Sequence, residues 1–96
     1  MAQPLTSKEK KQLRGMAQRL KPSLHLGRSG ITATFLEELE TALDRDQLVK
    51  VRFDTDRETM QQAIEQLSRS TGAECVGSVG RTAAFFRVPE QDRPTL

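Results

Sequence analysis

Three stretches of the chain carry apolar residues at intervals of three and four, the spacing that places them on one face of a helix. Residues 6–9 (TSKE) and 55–58 (TDRE) each match the capping box that opens a helix, and the middle stretch predicts a helix over residues 32–45. Pro22 ends the first helix and Gly72 ends the third. The predicted core stripes are Leu13, Met16, Ala17 and Leu20; Leu36, Leu39 and Leu43, with Phe35 and Ala42 beside them; and Met60, Ala63, Ile64 and Leu67.

Alternation of apolar and polar residues marks the strands. In the run LVKVRF, Val49, Val51 and Phe53 share one face, whereas Lys50 and Arg52 point to the other. Further strands are predicted at residues 23–26, 74–79 and 82–87, and the last two are joined by a two-residue turn at Gly80-Arg81.

The element order α-β-α-β-α-β-β is typical of the α+β class, and 96 residues are enough for one domain. We predict a single domain over residues 1–88, with a mixed four-stranded sheet packed against helices, and a polar tail over residues 89–96. No apolar run approaches about 18 residues, and no apolar signal segment opens the chain. One cysteine and one histidine exclude an internal disulfide and a structural zinc site. We therefore expect a cytoplasmic protein with no cofactor, no metal and no membrane partner.

The net charge is only +2, but it is unevenly distributed. Residues 1–30 carry seven basic side chains and one acidic, residues 31–74 carry five basic and ten acidic, and residues 75–96 carry three basic and two acidic. Such an uneven distribution of charge indicates an anionic partner for the basic part of the surface. The alternative is a charged surface that only keeps a small domain soluble.

The stretch Gly27-Arg28-Ser29-Gly30 leaves a predicted strand and enters a predicted helix. Two glycines allow close approach of a ligand, and the free N–H groups at a helix start favour an anion. Arg28 adds a fork of donors suited to phosphate. This chemistry is that of a loop that clamps a nucleic-acid backbone, although a tight strand-to-helix turn is the alternative.

Basic residues of the first helix fall in one sector, beside a core face centred on Leu13, when residues are spaced at about 100°. Two basic residues on the polar face of LVKVRF extend this sector, or else form a solvated or ion-paired strand face. The second helix has an acidic flank, Glu37, Glu40 and Asp44, which an anionic polymer should avoid. Besides the glycine loop, the candidate contacts are Lys10, Lys11, Arg14, Lys21, Lys50 and Arg52.

Aromatic and catalytic residues are scarce. The chain has no Trp and no Tyr, and Phe35 and Phe53 fit core faces, so no exposed stacking platform is expected. His25, the single histidine, has no Ser or Cys partner at a spacing typical of nucleophilic catalysis, and Cys75 is expected to pack in the interior. The sequence therefore predicts a binding protein, not an enzyme, and one that recognises the backbone and shape of a nucleic acid.

Five stretches, in this order, resemble the CRM (chloroplast RNA splicing and ribosome maturation) domain family in its stand-alone bacterial YhbY-like form. They are LTSKEKKQLRGMAQRLKP, LHLGRSGIT, LVKVRF, STGAECVGSVGRT and FFR. The resemblance implies a fold similar to the C-terminal domain of translation initiation factor three. It also implies RNA binding through the G-x-x-G loop, which here is Gly27 to Gly30, and through the adjacent basic surface. Family members often have glycine and tyrosine where this chain has Ala73 and Phe86, so any contact of that tyrosine hydroxyl is missing here.

Two functions are compatible with these observations. The first is a non-enzymatic RNA-binding protein that binds structured rRNA, with large-subunit rRNA or pre-ribosomal particles as partner and no small-molecule substrate; the resemblance implies association with such precursors. The second is a protein-binding adaptor whose basic surface docks an acidic partner. A small hydrolase is disfavoured because no nucleophile and base occur at a recognisable spacing.

Overall fold

A four-stranded sheet organises residues 5–88, the part of the chain that the structure, a computed structural model, describes. In chain order the elements are α1 (Ser7–Gln18), β1 (Leu24–Leu26), α2 (Ala33–Asp46), β2 (Leu48–Phe53), α3 (Arg57–Thr71), β3 (Glu74–Val79) and β4 (Thr82–Phe86). Across the sheet the order is β1-β2-β4-β3; β1 is parallel to β2, and β4 is antiparallel to both β2 and β3. The predicted α+β class and mixed sheet are confirmed. The predicted tail, residues 89–96, lies outside the described residues, so the domain boundary stays a prediction.

Helices α2 and α3 cover one face of the sheet and bury most of the apolar side chains. Val49, Val51 and Phe53 of β2 point to this face, as the alternation predicted, and each is 1% exposed or less. Burial of one such side chain contributes about 1.5–3 kcal/mol, so this face supplies most of the hydrophobic stabilisation. We call this set the main core: Leu26, Phe35, Leu39, Ala42, Leu43, Val49, Val51, Phe53, Met60, Ala63, Ile64, Leu67, Ala73, Ala83 and Phe85.

Helix α1 covers the opposite face with a much smaller apolar cluster, which we call the α1 cluster: Ala17, Leu48, Val76 and Ala84, with Leu5, Leu13 and Phe86 at its margin. The predicted core stripe of this helix is only partly correct. Ala17 is buried and Leu13 is half-buried, but Met16 is 56% exposed and Leu20 is 41% exposed.

The reason is that α1 is rotated toward its basic side. Lys10 forms an ion pair with Glu74 of β3, and the aliphatic stem of Arg14 packs against Gly77. Together with buried Ala17, these positions put the sheet-facing side roughly 65° from Leu13, at 100° per residue. Charged and polar partners on this face of the sheet therefore set the rotation of the helix, and an apolar stripe alone could not show it.

The first predicted capping box is confirmed and the second is wrong. The Glu9 N–H donates to Thr6 Oγ1 at 3.1 Å, and the Thr6 N–H donates to Glu9 Oε1 at 2.9 Å. At α3 the N-cap is Asp56, not Thr55, and Asp56 Oδ1 accepts from the Thr59 N–H at 2.7 Å. Aspartate caps at least as well as threonine, and its charge suits the positive end of the helix dipole, so α3 begins one residue later than predicted.

Strand β4 ends at Phe86, one residue earlier than predicted, and Arg87 turns into the protein. Its side chain is 5% exposed and donates to Glu40 Oε2 at 2.8 Å and to Asp44 Oδ1 at 2.9 Å. The same guanidinium donates to the Thr71 carbonyl at 2.8 Å. Part of the acidic flank of α2 therefore anchors the end of the sheet.

Candidate nucleic-acid interface

The glycine loop, Gly27 to Gly30, joins β1 to α2 as a tight turn in which the Gly30 N–H donates to the Gly27 carbonyl at 3.1 Å. Gly30 has a φ of +80°, which L side chains rarely adopt, so the backbone itself requires glycine there. Gly27 has no such requirement, and no heavy atom of the described chain lies within 4 Å of the place a Cβ would take. The space in front of Gly27 is therefore open to a ligand.

Three connections meet at one end of the sheet, which we call the loop end. They are the glycine loop, the segment after β2, and the turn at Gly80-Arg81. The Asp54 N–H donates to the Leu26 carbonyl at 2.8 Å, and the Phe53 N–H donates to the Arg81 carbonyl at 2.7 Å. These two hydrogen bonds hold the glycine loop and the Gly80-Arg81 turn on opposite sides of the end of β2.

The strand register places His25, Arg52 and Thr82 side by side on β1, β2 and β4. They occupy the face that α1 covers, but beyond its C-terminal end, and the side chains of His25 and Arg52 are exposed. Arg28 in the glycine loop and Arg81 in the hairpin turn flank this row. Arg81 was not among the predicted contacts, since only the long-range pairing of β4 with β2 brings its turn to the loop end.

Acidic residues limit the basic surface on the other side of the glycine loop. Asp54 and Asp56 line a depression together with Arg28 and Thr59. Hydrogen bonds from Thr59 hold the pKa of Asp56 below its usual value, and the charge of Arg81 contributes less. Asp56 is therefore ionised at neutral pH and repels phosphate. A polyanion leaving the glycine loop is favoured to run toward Arg52 and α1, away from α3.

The basic residues predicted on the first helix divide into one paired residue and three unpaired ones. The placement of Lys21 on that helix was wrong, because α1 ends at Gln18 with Arg19 as its C-cap. Lys10 Nζ lies 2.9 Å from Glu74 Oε1, with the lysine side chain 38% exposed. Lys11, Arg14 and Lys21 are exposed and form no ion pair within residues 5–88. The unpaired three are therefore available to an anionic ligand without breaking a contact of the fold.

Lys50 has a structural role that the sequence did not reveal. Its Nζ donates to the Ala17 carbonyl at 3.3 Å and to the Leu20 carbonyl at 3.2 Å, and the side chain is half-buried beneath the end of α1. A cation at a helix C-terminus satisfies carbonyls that have no helical partner and complements the dipole. Arg52, two residues on, is free of such contacts in the described chain. Contact of any predicted residue with a nucleic acid stays a prediction.

Other chemistry finds little support among the described residues. Within residues 5–88 no three His, Cys, Asp or Glu side chains are grouped as metal ligands would be. Cys75 packs against the main core as predicted, and burial raises the pKa of its thiol, so it is protonated at neutral pH. A protonated thiol is a poor nucleophile.

No helix in the part of the chain that the structure describes is both long and apolar enough to span a membrane.

Comparisons with known proteins agree with this fold. A protein of Haemophilus influenzae named "RNA-binding protein" is 38% identical over 93 residues, which are 96% of this chain and 94% of that protein. A Pseudomonas aeruginosa protein named "Probable RNA-binding protein PA4753" is 32% identical over 84 residues, 86% of this chain and 81% of that protein. The solution structure of SAV1595 from Staphylococcus aureus superposes with a TM-score of 0.81 at 25% identity, covering 94% of this chain and 95% of that one.

The family model described as "CRS1 / YhbY (CRM) domain" matches residues 5–87, which include all seven elements of the sheet and helices. That span also contains the glycine loop and every exposed basic residue placed at the loop end and along α1. The chain therefore belongs to the CRS1/YhbY (CRM) domain family.

Proposed function

We propose that this protein is a cytoplasmic, non-enzymatic RNA-binding protein that docks on structured rRNA and assists assembly of the large ribosomal subunit. The observation that carries the proposal is the loop end, where open space at Gly27 adjoins the exposed cations Arg28 and Arg52. The names of the relatives support RNA as the partner. The family resemblance supports rRNA of the large subunit.

The geometry of the glycine loop supports phosphate binding there. The loop leads directly into α2, whose N-cap is Thr32, so the positive end of a helix dipole lies just behind it. A side chain is absent where the RNA backbone would come closest, at Gly27. Arg28 then supplies a charge-assisted hydrogen bond to a phosphate oxygen, which is roughly twice as strong as a neutral one.

The rest of the surface favours recognition of backbone and shape. Phe35, Phe53 and Phe85 are buried and Phe86 is half-buried, so the four phenylalanines of the chain offer no aromatic platform for bases. Double-stranded or folded RNA is recognised mostly through phosphates and 2′-hydroxyls. The exposed cations from Arg28 through Arg52 to α1 match that mode of binding.

The decisive experiment is ultraviolet crosslinking of the protein to RNA in cells, followed by sequencing and normalised to total RNA. Discrete sites in large-subunit rRNA are expected to be enriched, and the Gly27→Asp variant is expected to lose them. The Gly27→Ala variant is the matched control, since it adds a side chain without a charge. Reads that follow total RNA abundance in all three proteins would contradict the proposal.

A nuclease step separates this function from that of a protein-binding adaptor. The protein is purified from cells with its partners, with and without ribonuclease. An rRNA-binding protein loses its ribosomal partners when the RNA is digested, because RNA carries the contact. A partner protein that survives digestion at full stoichiometry would instead identify an adaptor.

A further inference from the structure

A cleft of about 280 Å³ lies between α1 and the β3–β4 hairpin. Small residues, Gly77, Ala84 and Ala17 of α1, are among those that line it. Val79, which is 70% exposed, lies at its margin. This volume is slightly below the range of about 300–1,000 Å³ that holds drug-sized ligands, so the cleft suits a smaller group.

The surroundings of the cleft combine hydrogen-bonding groups with positive charge. Gln18 and Ser78 line it, and neither side chain forms a hydrogen bond within the described part of the chain. Lys50 also lines the cleft and uses two of its three ammonium protons on the carbonyls of α1. A mostly apolar lining with hydrogen-bonding groups and nearby cations matches the chemistry of a nucleobase attached to its phosphate.

Arg14 is held over the cleft by the absence of a side chain at Gly77. A Cβ built on Gly77 would overlap Cγ and Cδ of Arg14, so the stem of the arginine lies flat against the backbone of β3. The stem therefore holds Arg14 at the cleft, which this residue lines, and the guanidinium it carries is planar. Unpaired RNA bases commonly stack on planes of this kind.

We infer that the cleft between α1 and the β3–β4 hairpin binds one unpaired base of the RNA, stacked against the Arg14 guanidinium and read along its edge by Gln18 and Ser78. The inference rests on the proposed function and deepens it, because it adds a preference for RNA with an unpaired nucleotide. Arg52 and Thr82 connect the row at the loop end to the hairpin side of the cleft, so one RNA strand can reach both sites.

The test compares two RNAs that carry the same number of phosphates: a stem-loop with unpaired uridines in its loop, and a blunt duplex that contains the same stem sequence, extended by base pairs until the phosphate numbers match. Wild-type protein is expected to bind the stem-loop more tightly. Arg14→Lys keeps the charge but removes the plane, and Gly77→Ala keeps every charge but displaces the arginine stem. Each is expected to reduce the stem-loop preference roughly five- to tenfold, as for loss of one base-stacking contact, with duplex affinity unchanged.

The matched control is Arg19→Lys, the same replacement at the end of the same helix but outside the cleft. It should leave the preference unchanged. A single 4-thiouridine in the loop should crosslink to the peptide of α1 or β3 that lines the cleft. Crosslinks confined to the glycine loop, or a preference unchanged in both cleft variants, would overturn the cleft while leaving the proposed function intact. Failure of wild-type protein to bind either RNA would overturn both.

Discussion

Helices α2 and α3 hold their face of the sheet with a continuous apolar core, whereas α1 holds the opposite face with a small apolar cluster and two lysines. On the first face, residues such as Leu39 and Val51 are fully buried. On the second face, Lys10 reaches Glu74 and Lys50 reaches the carbonyls at the end of α1. The first arrangement stabilises the domain, and the second places a basic helix on it.

The difference bears on function because the side of the sheet that α1 covers also carries exposed polar and basic side chains. The α1 face ends in the exposed row of His25 and Arg52, and the glycine loop begins at the same end of the sheet. On the opposite side, α2 presents negative charge to solvent: Glu40 and Asp44 bind the buried Arg87, and the other acidic residues of this helix are exposed. An anionic ligand is therefore expected on the α1 side only.

The largest expected effect compares the two faces by the same substitution. Leu39→Ala, in the main core, should lower the free energy of unfolding by about 2–5 kcal/mol. Leu13→Ala, at the margin of the α1 cluster, should cost only about 1 kcal/mol, because this side chain is half-buried and loses less apolar contact. Urea unfolding followed by circular dichroism measures both. Equal losses would mean that α1 is as much a part of the stabilising core as α2.

A second prediction tests the glycine loop and concerns affinity, not stability. Gly27→Asp adds a side chain and a negative charge in open space, so the fold should survive while RNA affinity falls by about 1–3 kcal/mol. Gly27→Ala is the control: it adds a methyl group without a charge, so it should lower RNA affinity by less than Gly27→Asp does. Gly30 is unsuitable, since its positive φ would add backbone strain to any loss of binding. Unchanged affinity in folded Gly27→Asp would remove the loop from the interface.

Sequence patterns predicted the main-core side of this comparison better than the α1 side. Alternation in β2 and the stripes of α2 and α3 place each residue by local spacing, because burial of apolar groups decides which side of these elements faces the core. The rotation of α1 depends instead on Glu74, Gly77 and Lys50, which lie on other elements. The spacing of residues within α1 contains no information about partners on other elements. Met16 and Leu20 were therefore wrongly assigned to the interior.

The candidate site was predictable in the same uneven way. The sequence of the glycine loop and its position before α2 are local features, and the structure places them as expected. The structural role of Lys50 and the position of Arg81 at the loop end arise from strand pairing. The Asp56 cap was missed because two neighbouring residues, Thr55 and Asp56, both suit an N-cap and only the chain path selects one.

A third prediction tests whether four unpaired cations form one continuous phosphate-binding surface, which we call the track. If Arg14, Lys21, Arg28 and Arg52 each neutralise a phosphate, the slope of log K against log salt should be roughly −3 to −4. Replacing Arg14 and Lys21 with Gln should reduce its magnitude by about 1.4 to 1.8. Binding as a function of salt, measured by fluorescence anisotropy, gives both slopes.

The matched control for that pair is Glu37→Gln with Glu38→Gln, which changes the net charge equally in the opposite direction. Both residues are exposed on α2, whereas Glu40 would be a poor choice because it binds Arg87. A local track predicts a large loss from the first pair and almost no gain from the second. Equal and opposite changes would show that only net charge matters and that no track exists.

The smallest expected effect separates Lys50 from Arg52, two basic residues on the same face of β2. Lys50→Met removes the donor to two carbonyls at the end of α1 and should lower the free energy of unfolding by about 1 kcal/mol, with the salt slope nearly unchanged. Arg52→Met removes an exposed charge, so stability should stay within about 0.5 kcal/mol. Its salt slope should fall in magnitude by about 0.7 to 0.9, the contribution of one phosphate. Because the two substitutions place the same side chain on the same strand, general effects of methionine cancel in the comparison. The contrary result is that Lys50→Met flattens the salt slope as much as Arg52→Met does. In that case Lys50 would break its hydrogen bonds to the carbonyls of α1 and contact RNA, and the α1 face would be a continuous binding surface.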